Sequence, residues 1–262
     1  MMFAAVARRL MLRLWQASVR RARLALRVLP VLVVLGTTAN AEILSARYDD
    51  PTTRYAHGVL GDAVEYGALI LKVAANDDQS FRKSLTLRFT LPETRVFEDL
   101  EPRLADLDGD GLPEVIVIET DASLGASLAI YDETGKIAAT PFIGRSNRWL
   151  APLGAADLDG DGKIELAYID RPHLVKTLRV WRFDSGKLVH VADKSGLTNH
   201  RIGQDFISGG IRVCGAGPEI VTASGDWSRV MISTLEGARI TSRDAGPFKG
   251  PKSLQDALAC KS

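Results

Sequence analysis

Among 262 residues there are only two cysteines and four histidines. The apolar run nearest the start, Val28 to Leu35, is far shorter than the ~18 residues of a membrane-spanning helix, so the mature chain is not expected to insert into a membrane. Beyond residue 41 no stretch shows sustained helical periodicity, with Ser253 to Ala259 the one exception, and this excludes a helical fold. His57, His173, His190 and His200 lack metal-ligand spacing, and there is neither a Gly-x-Ser-x-Gly elbow nor a Cys–His constellation. No motif therefore argues for an enzyme.

The start has the order of an export signal. Arg8, Arg9, Arg13, Arg20, Arg21, Arg23 and Arg27 precede the apolar run, and Ala39-Asn40-Ala41 forms a small-residue exit, so residues 1–41 are expected to be removed. Met11 is an alternative start, and Arg20-Arg21 keeps twin-arginine export open beside the general route. The segment holds seven basic and no acidic residues, so 33 basic against 32 acidic becomes 26 against 32, a net charge near −6. That balance leaves no basic footprint for nucleic acid and disfavours anionic membrane surfaces. The expected location is periplasmic or extracellular. There a disulfide between Cys214 and Cys260 is expected, two separate thiols being the alternative. It would close a loop of 47 residues, worth roughly 4 kcal/mol in the chain-entropy model.

What the chain does contain is repetition. Ala105-Asp-Leu-Asp-Gly-Asp-Gly-Leu-Pro-Glu114 and Ala156-Asp-Leu-Asp-Gly-Asp-Gly-Lys-Ile-Glu165 place their glutamates 51 residues apart. An eroded copy ends at Glu219, 54 residues further on, and a weaker one at Glu65, 49 residues before Glu114. Short apolar or β-branched runs follow each glutamate, then hairpin signals such as Asp132-Glu-Thr-Gly135 and Asp184-Ser-Gly186. Repeats of this length made of short strands predict an all-β fold, a small β-propeller of about four four-stranded blades. The expected units are residues 57–105, 106–156, 157–209 and 210–250 of a single domain spanning 42–262, with a tail at 251–262. Ile43 to Tyr48 could pair with the last blade and close the ring, which would remove exposed strand edges; ring closure is left open.

The two intact copies carry the chemistry. Four carboxylates within nine residues repel one another unless a cation lies between them. Calcium takes six to eight oxygen ligands and wants carboxylates at loop positions 1, 3 and 5 and a carbonyl at 7. Asp106, Asp108 and Asp110 with the Leu112 carbonyl and Glu114 make one such set; Asp157, Asp159 and Asp161 with the Lys163 carbonyl and Glu165 make the other. Gly111 and Gly162 stand where the loop turns sharply. Val117 and Tyr168 replace the position-12 acid of an EF-hand, so these loops enter strands rather than helices. Two calcium ions are expected.

The pattern Asp-x-Asp-Gly-Asp-Gly-x-x-Glu followed by a strand resembles the FG-GAP repeat of integrin α-subunit propellers and the related bacterial VCBS repeats. The resemblance covers most of residues 57–222 and implies a propeller in which each calcium loop joins the innermost strand of a blade to the next. Two units depart from it: Cys214 and Ala216 replace carboxylates, and the Gly61-Asp62 loop is short.

A second candidate site rests on arginines that recur upstream of the loops: Arg54, Arg95, Arg148 and Arg201. If each opens an innermost strand they crowd one end of the axis, where Tyr55, Phe97 and Trp149 add stacking surface and His57 and His200 share the phase. Structural salt bridges, including pairing with Glu98 and Asp99, are the alternative. The expected function is an exported calcium-binding module that presents one face to a protein or carbohydrate partner; a hydrolase or lyase with its site at the axis, and a purely structural or assembly role, are the alternatives.

Overall fold

The computed structural model describes residues 41–74 and 84–261; residues 1–40 of the expected export signal lie outside the described residues. No helix among the described residues is long and apolar enough to cross a membrane. The described residues are all-β apart from one helix near their end.

Among the described residues, seventeen strands form three sheets. The first holds β1 (Ile43–Thr52), β2 (Glu65–Ala74), β3 (Ser84–Thr90), β4 (Arg95–Phe97), β5 (Arg103–Ala105), β6 (Glu114–Asp121), β7 (Gly125–Asp132) and β8 (Gly135–Ala139). The second is a four-stranded antiparallel meander of β9 (Leu150–Ala156), β10 (Glu165–Asp170), β11 (Thr177–Asp184) and β12 (Lys187–Ser195). The third repeats that plan with β13 (Leu197–Thr198) and β14 (Gly210–Val213) both pairing β15 (Pro218–Ser224), followed by β16 (Arg229–Glu236) and β17 (Arg239–Pro247). The helix α1 (Pro251–Leu258) follows.

Period-two alternation explains how these sheets stack. All eight residues of β6 are buried, because both of its faces are covered. Val115 and Val117 enter a cluster with Tyr48, Leu69, Leu71 and Phe97, so the first sheet folds back on itself. Ile116 and Ile118 face the opposite way, onto Leu150, Leu166 and Tyr168 of the second sheet and onto Trp149 just before it. In β10, Ala167 and Ile169 then join Leu178, Val180 and Ile220 in the layer shared with the third sheet. The outer face of that sheet, Val221, Ala223, Val230 and Ile232, is covered by Leu254 and Ala257 of α1. Each buried aliphatic contributes about 1.5–3 kcal/mol, so the row of sheets is held chiefly by these alternating layers.

Local chemistry sets the turns. The Asp132 carboxylate accepts from the Thr134 and Gly135 amides (2.6 and 3.1 Å) and closes the β7–β8 hairpin. Ser185 and Gly186, at φ 52 and 73°, make the two-residue β11–β12 turn whose left-handed backbone matches strand twist.

Among the described residues, β1 does not pair with the last sheet. β1 pairs along β2, from Ile43 opposite Val73 to Thr52 opposite Glu65. That register sends Ile43 and Tyr48 into the cluster with Leu69 and Leu71, burial that an edge position beside β17 would not supply. The free edge strand β17 carries Arg239, Arg243 and Asp244 instead, charges that discourage edge-to-edge pairing. The first and last meanders do touch through loops, where the Gly203 amide donates to the Val59 carbonyl at 3.4 Å.

Cys214 and Cys260 form the expected disulfide, with 5.7 Å between their Cα atoms. It pins the residue just past α1 to the β14–β15 loop, and Arg212 Nη1 donates to the Ala257 carbonyl at 2.5 Å beside it. Cys260→Ser is therefore expected to lower unfolding free energy by roughly 2–4 kcal/mol, read as an earlier midpoint in denaturant titration.

Candidate functional site

The two Asp-Gly loops join the first strand of a meander to its second. Glu114 and Glu165 are the first residues of β6 and β10, so strand pairing fixes their carboxylates while the loops wrap back over them. The Leu107 amide donates to Glu114 Oε2 at 2.7 Å, and the Asp106 carboxylate accepts from the Gly109 and Gly111 amides at 2.8 and 3.0 Å. The second loop repeats these bonds: Leu158 to Glu165 at 2.8 Å, and Gly160 and Gly162 to Asp157 at 2.8 and 3.0 Å. Gly111 and Gly162 sit at φ 88 and 86°, a conformation that disfavours any side chain. Asp110 and Asp161 accept from the amides two residues on, those of Leu112 and Lys163.

Ligand oxygens of Asp106, Asp108 and Glu114 lie within 4.8 Å of one another, as do those of Asp157, Asp159 and Glu165. Oxygens on opposite sides of an ion at 2.3–2.6 Å stand about 5 Å apart, so both clusters have the dimensions to hold a metal ion. Burial, with Asp108 and Asp110 adding to it and the Leu107 amide opposing, pushes Glu114 up to about 7. The loops differ in one respect. Arg182 of β11, opposite Glu165 in register, donates to Glu165 at 2.5 Å and Asp159 at 2.6 Å and lies 3.0 Å from Asp161. Among the described residues no lysine or arginine stands within ion-pair distance of Asp106, Asp108 or Glu114.

At the other end of β10 lies a cavity of about 300 Å³ lined by His57, Arg148, Trp149, Arg171, His173 and Ile202. Glu165 to Asp170 spans five steps, roughly 17 Å at ~3.4 Å each, so a loop-bound ion would not reach it. Trp149 is almost wholly buried; its Nε1 donates to the Glu98 carbonyl at 2.8 Å and its ring stacks on His173. Glu98, fully buried, accepts from Thr120 Oγ1 and lies 2.5 Å from His57 Nδ1. Burial raises Glu98 while His57 draws it back. With Nδ1 donating to that carboxylate, Nε2 is the acceptor of the His57 ring. His200 Nε2 lies 3.0 Å from the Gln204 carbonyl and its Nδ1 lies 2.9 Å from His173 Nε2. A carbonyl only accepts, so His200 donates there, His173 donates to His200, and His173 keeps Nδ1 as an acceptor.

The four arginines singled out in the sequence do not share a cavity. Arg54 donates twice to the Arg95 carbonyl, at 3.1 and 2.5 Å, and Arg95 pairs with Asp121 at 3.2 Å. Arg201 lies over the Trp227 ring, 4.5 Å from its centroid. Arg148 alone lines the cavity, together with His57 and Trp149; Tyr55 packs edge-on to His57 and accepts from the Asn147 amide, and His200 lies beneath, against His173. Asp99, buried, is paired with Arg103 rather than with any of the four. Sequence reasoning missed Arg171 and His173. The apolar run ending in Asp170-Arg171 marks a strand end, but nothing local says that this turn faces Trp149. A larger groove of about 560 Å³ beside Cys214 is lined by Arg212, Glu219 and Arg243, which already satisfy one another.

Residues 106–168 match the model of the FG-GAP-like repeat. No curated protein matches the chain in sequence. Among solved structures, the exotype rhamnogalacturonan lyase YesX is similar at 16% identity and TM-score 0.36, over 79% of this chain and 48% of that one. The Bacillus licheniformis rhamnogalacturonan lyase PL11 is similar at 16% identity and TM-score 0.40, over 81% and 50%. The chain spans about half the length of these enzymes.

Burial, then the neighbouring His200 and His57, lower His173 to about 4. Its ring is expected to titrate near that value by NMR. Because the folded value is depressed, the unfolded chain takes up the proton first as pH drops below ~6.5. Stability is then lost between there and pH 4, and His173→Gln is expected to flatten that loss in pH-dependent melts.

Proposed function

On the premise that residues 106–168 form an FG-GAP-like repeat, we propose that this chain is an exported, calcium-stiffened module of propeller type, about four blades, that binds a protein or carbohydrate ligand at the cavity beside Trp149. The observation that carries the binding role is the cavity's rim. Leu174 and Ile202 line it and, with the adjacent Val175, are 61, 74 and 44% exposed. Large aliphatic side chains held in water around a preformed cleft fit a partner that covers them. Trp149, which would offer a sugar a stacking face, is instead almost wholly buried, so a protein side chain is the favoured occupant. A carbohydrate is the second reading, and Arg148 and Arg171 at the same cavity are its support.

Calcium suits the first loop, whose donors are all hard oxygens: Asp106, Asp108 and Glu114, joined by Asp110 and the Leu112 carbonyl. An ion there would tie the β5–β6 connection to the start of β6, relieving the repulsion among its carboxylates. The second loop offers the same oxygens either to an ion or to Arg182. Export to the periplasm or beyond draws support from the arginine-rich start, the Ala39-Asn40-Ala41 exit and the disulfide, which persists in oxidising compartments. A hydrolase or lyase reading has one favourable observation, the Thr120–Glu98–His57 chain, which orients an imidazole as a general base requires.

Two measurements test the proposal. Millimolar calcium is expected to raise the melting temperature above that in chelator, and Asp108→Asn is expected to remove most of that rise; identical melting with no bound calcium would refute the calcium reading. The calcium-loaded protein is then screened against glycan arrays and purified envelope proteins beside a Leu174→Asp/Ile202→Asp variant. The variant is expected to lose the ligand, and full retention would place the ligand seat elsewhere.

A further inference from the structure

The two loops match in sequence and in backbone hydrogen bonding, yet a guanidinium reaches the converging carboxylates of the second. In the second, one guanidinium forks across Glu165, Asp159 and Asp161 at 2.5, 2.6 and 3.0 Å. Two of those three carboxylates, Glu165 and Asp159, belong to the set whose oxygens converge within 4.8 Å. An ion entering this loop must compete with Arg182 for the same atoms. Arginine is a strong competitor, because its charge is permanent and its planar fork matches carboxylates in bidentate fashion. Among the described residues, no lysine or arginine stands within ion-pair distance of the converging carboxylates of the first loop, Asp106, Asp108 and Glu114. In β7 the residue next to Tyr131, which faces Val115, is Asp132, and its carboxylate is used in the hairpin turn.

The third sheet supplies an independent instance of a guanidinium in this role. Its loop has Cys214 and Ala216 in place of aspartates, and Glu219 is held by Arg212 at 2.7 and 2.9 Å and by Arg243 at 3.0 Å. The disulfide Cys214–Cys260 fixes that loop to the end of the chain. Here arginine neutralises the strand-opening glutamate and a covalent bond restrains the loop, with neither of the replaced aspartates present.

We infer that the second Asp-Gly loop is neutralised from within by Arg182, so that the protein takes one divalent cation, at the first loop, rather than two. This rests on the calcium reading of the first loop. The test is calcium titration of the purified full chain, stripped of metal, by isothermal calorimetry with bound metal counted by elemental analysis. The wild type is expected to bind one ion, Asp108→Asn none, and Arg182→Gln two. Asp159→Asn, which leaves the first loop intact, is expected to keep both the single ion and the calcium-dependent rise in melting temperature, and it serves where Arg182→Gln fails to fold. Two ions of similar affinity in the wild type, one ion in a folded Arg182→Gln, or loss of binding in Asp159→Asn would each overturn the inference while leaving calcium binding intact. No bound ion in the wild type would overturn the calcium reading and the inference together.

Discussion

A carboxylate withdrawn from water must be neutralised or matched by a cation, because an unpaired buried charge is worth more than any single packing contact in the layer around it. Four glutamates near the start of strands impose this constraint on the fold, and each meets it differently. Glu65 opens β2 almost fully buried, and burial, with Glu98, Asp62 and Asp99 nearby, pushes it up to about 9, so it is neutral by protonation. Glu114 closes a cluster of aspartates with the dimensions of a metal site. Glu165 closes the same cluster but shares it with Arg182. Glu219 is only half-buried, and against the effect of that burial Arg212 and Arg243 hold it below the ordinary carboxylate range.

These solutions are compatible with one architecture because the sheets stack through alternating layers that do not involve the loops. β6 and β10 send odd and even residues to opposite clusters, and the Asp-Gly loops lie at one end of these strands, outside the layers. The other end of β10 meets Trp149 and the β1–β2 connection, and there the cavity forms. Loop and cavity are therefore joined by a rigid paired strand but chemically separate. A cation would stiffen the frame that positions His57, Trp149 and His173 without touching a ligand.

The local features were legible from the chain. The Asp-Gly loops depend on backbone amides and carboxylates fewer than ten residues apart, and both appear with matching bonds. Hairpins at Asp132-Glu-Thr-Gly135 and Asp184-Ser-Gly186 are fixed by their own turn residues, and the disulfide joins the only two cysteines. The recurring arginines were a weaker guide. Their phase along the chain is real, but Arg54, Arg95 and Arg201 each find a different partner, because a long side chain turns toward the nearest carbonyl, carboxylate or ring.

By itself, then, the sequence determined the strand-rich repeat, the oxygen-lined loops and the covalent closure, since all three follow from residues that act on near neighbours or have no other partner. Tertiary structure alone decided that β1 pairs with β2 instead of the last sheet, that α1 covers that sheet's outer face, and that Arg182 arrives at Glu165 from the strand beside it. Strand register and layer packing bring together residues with no marked relation along the chain, and that is why a guanidinium reaches the carboxylates of the second loop only once the protein has folded.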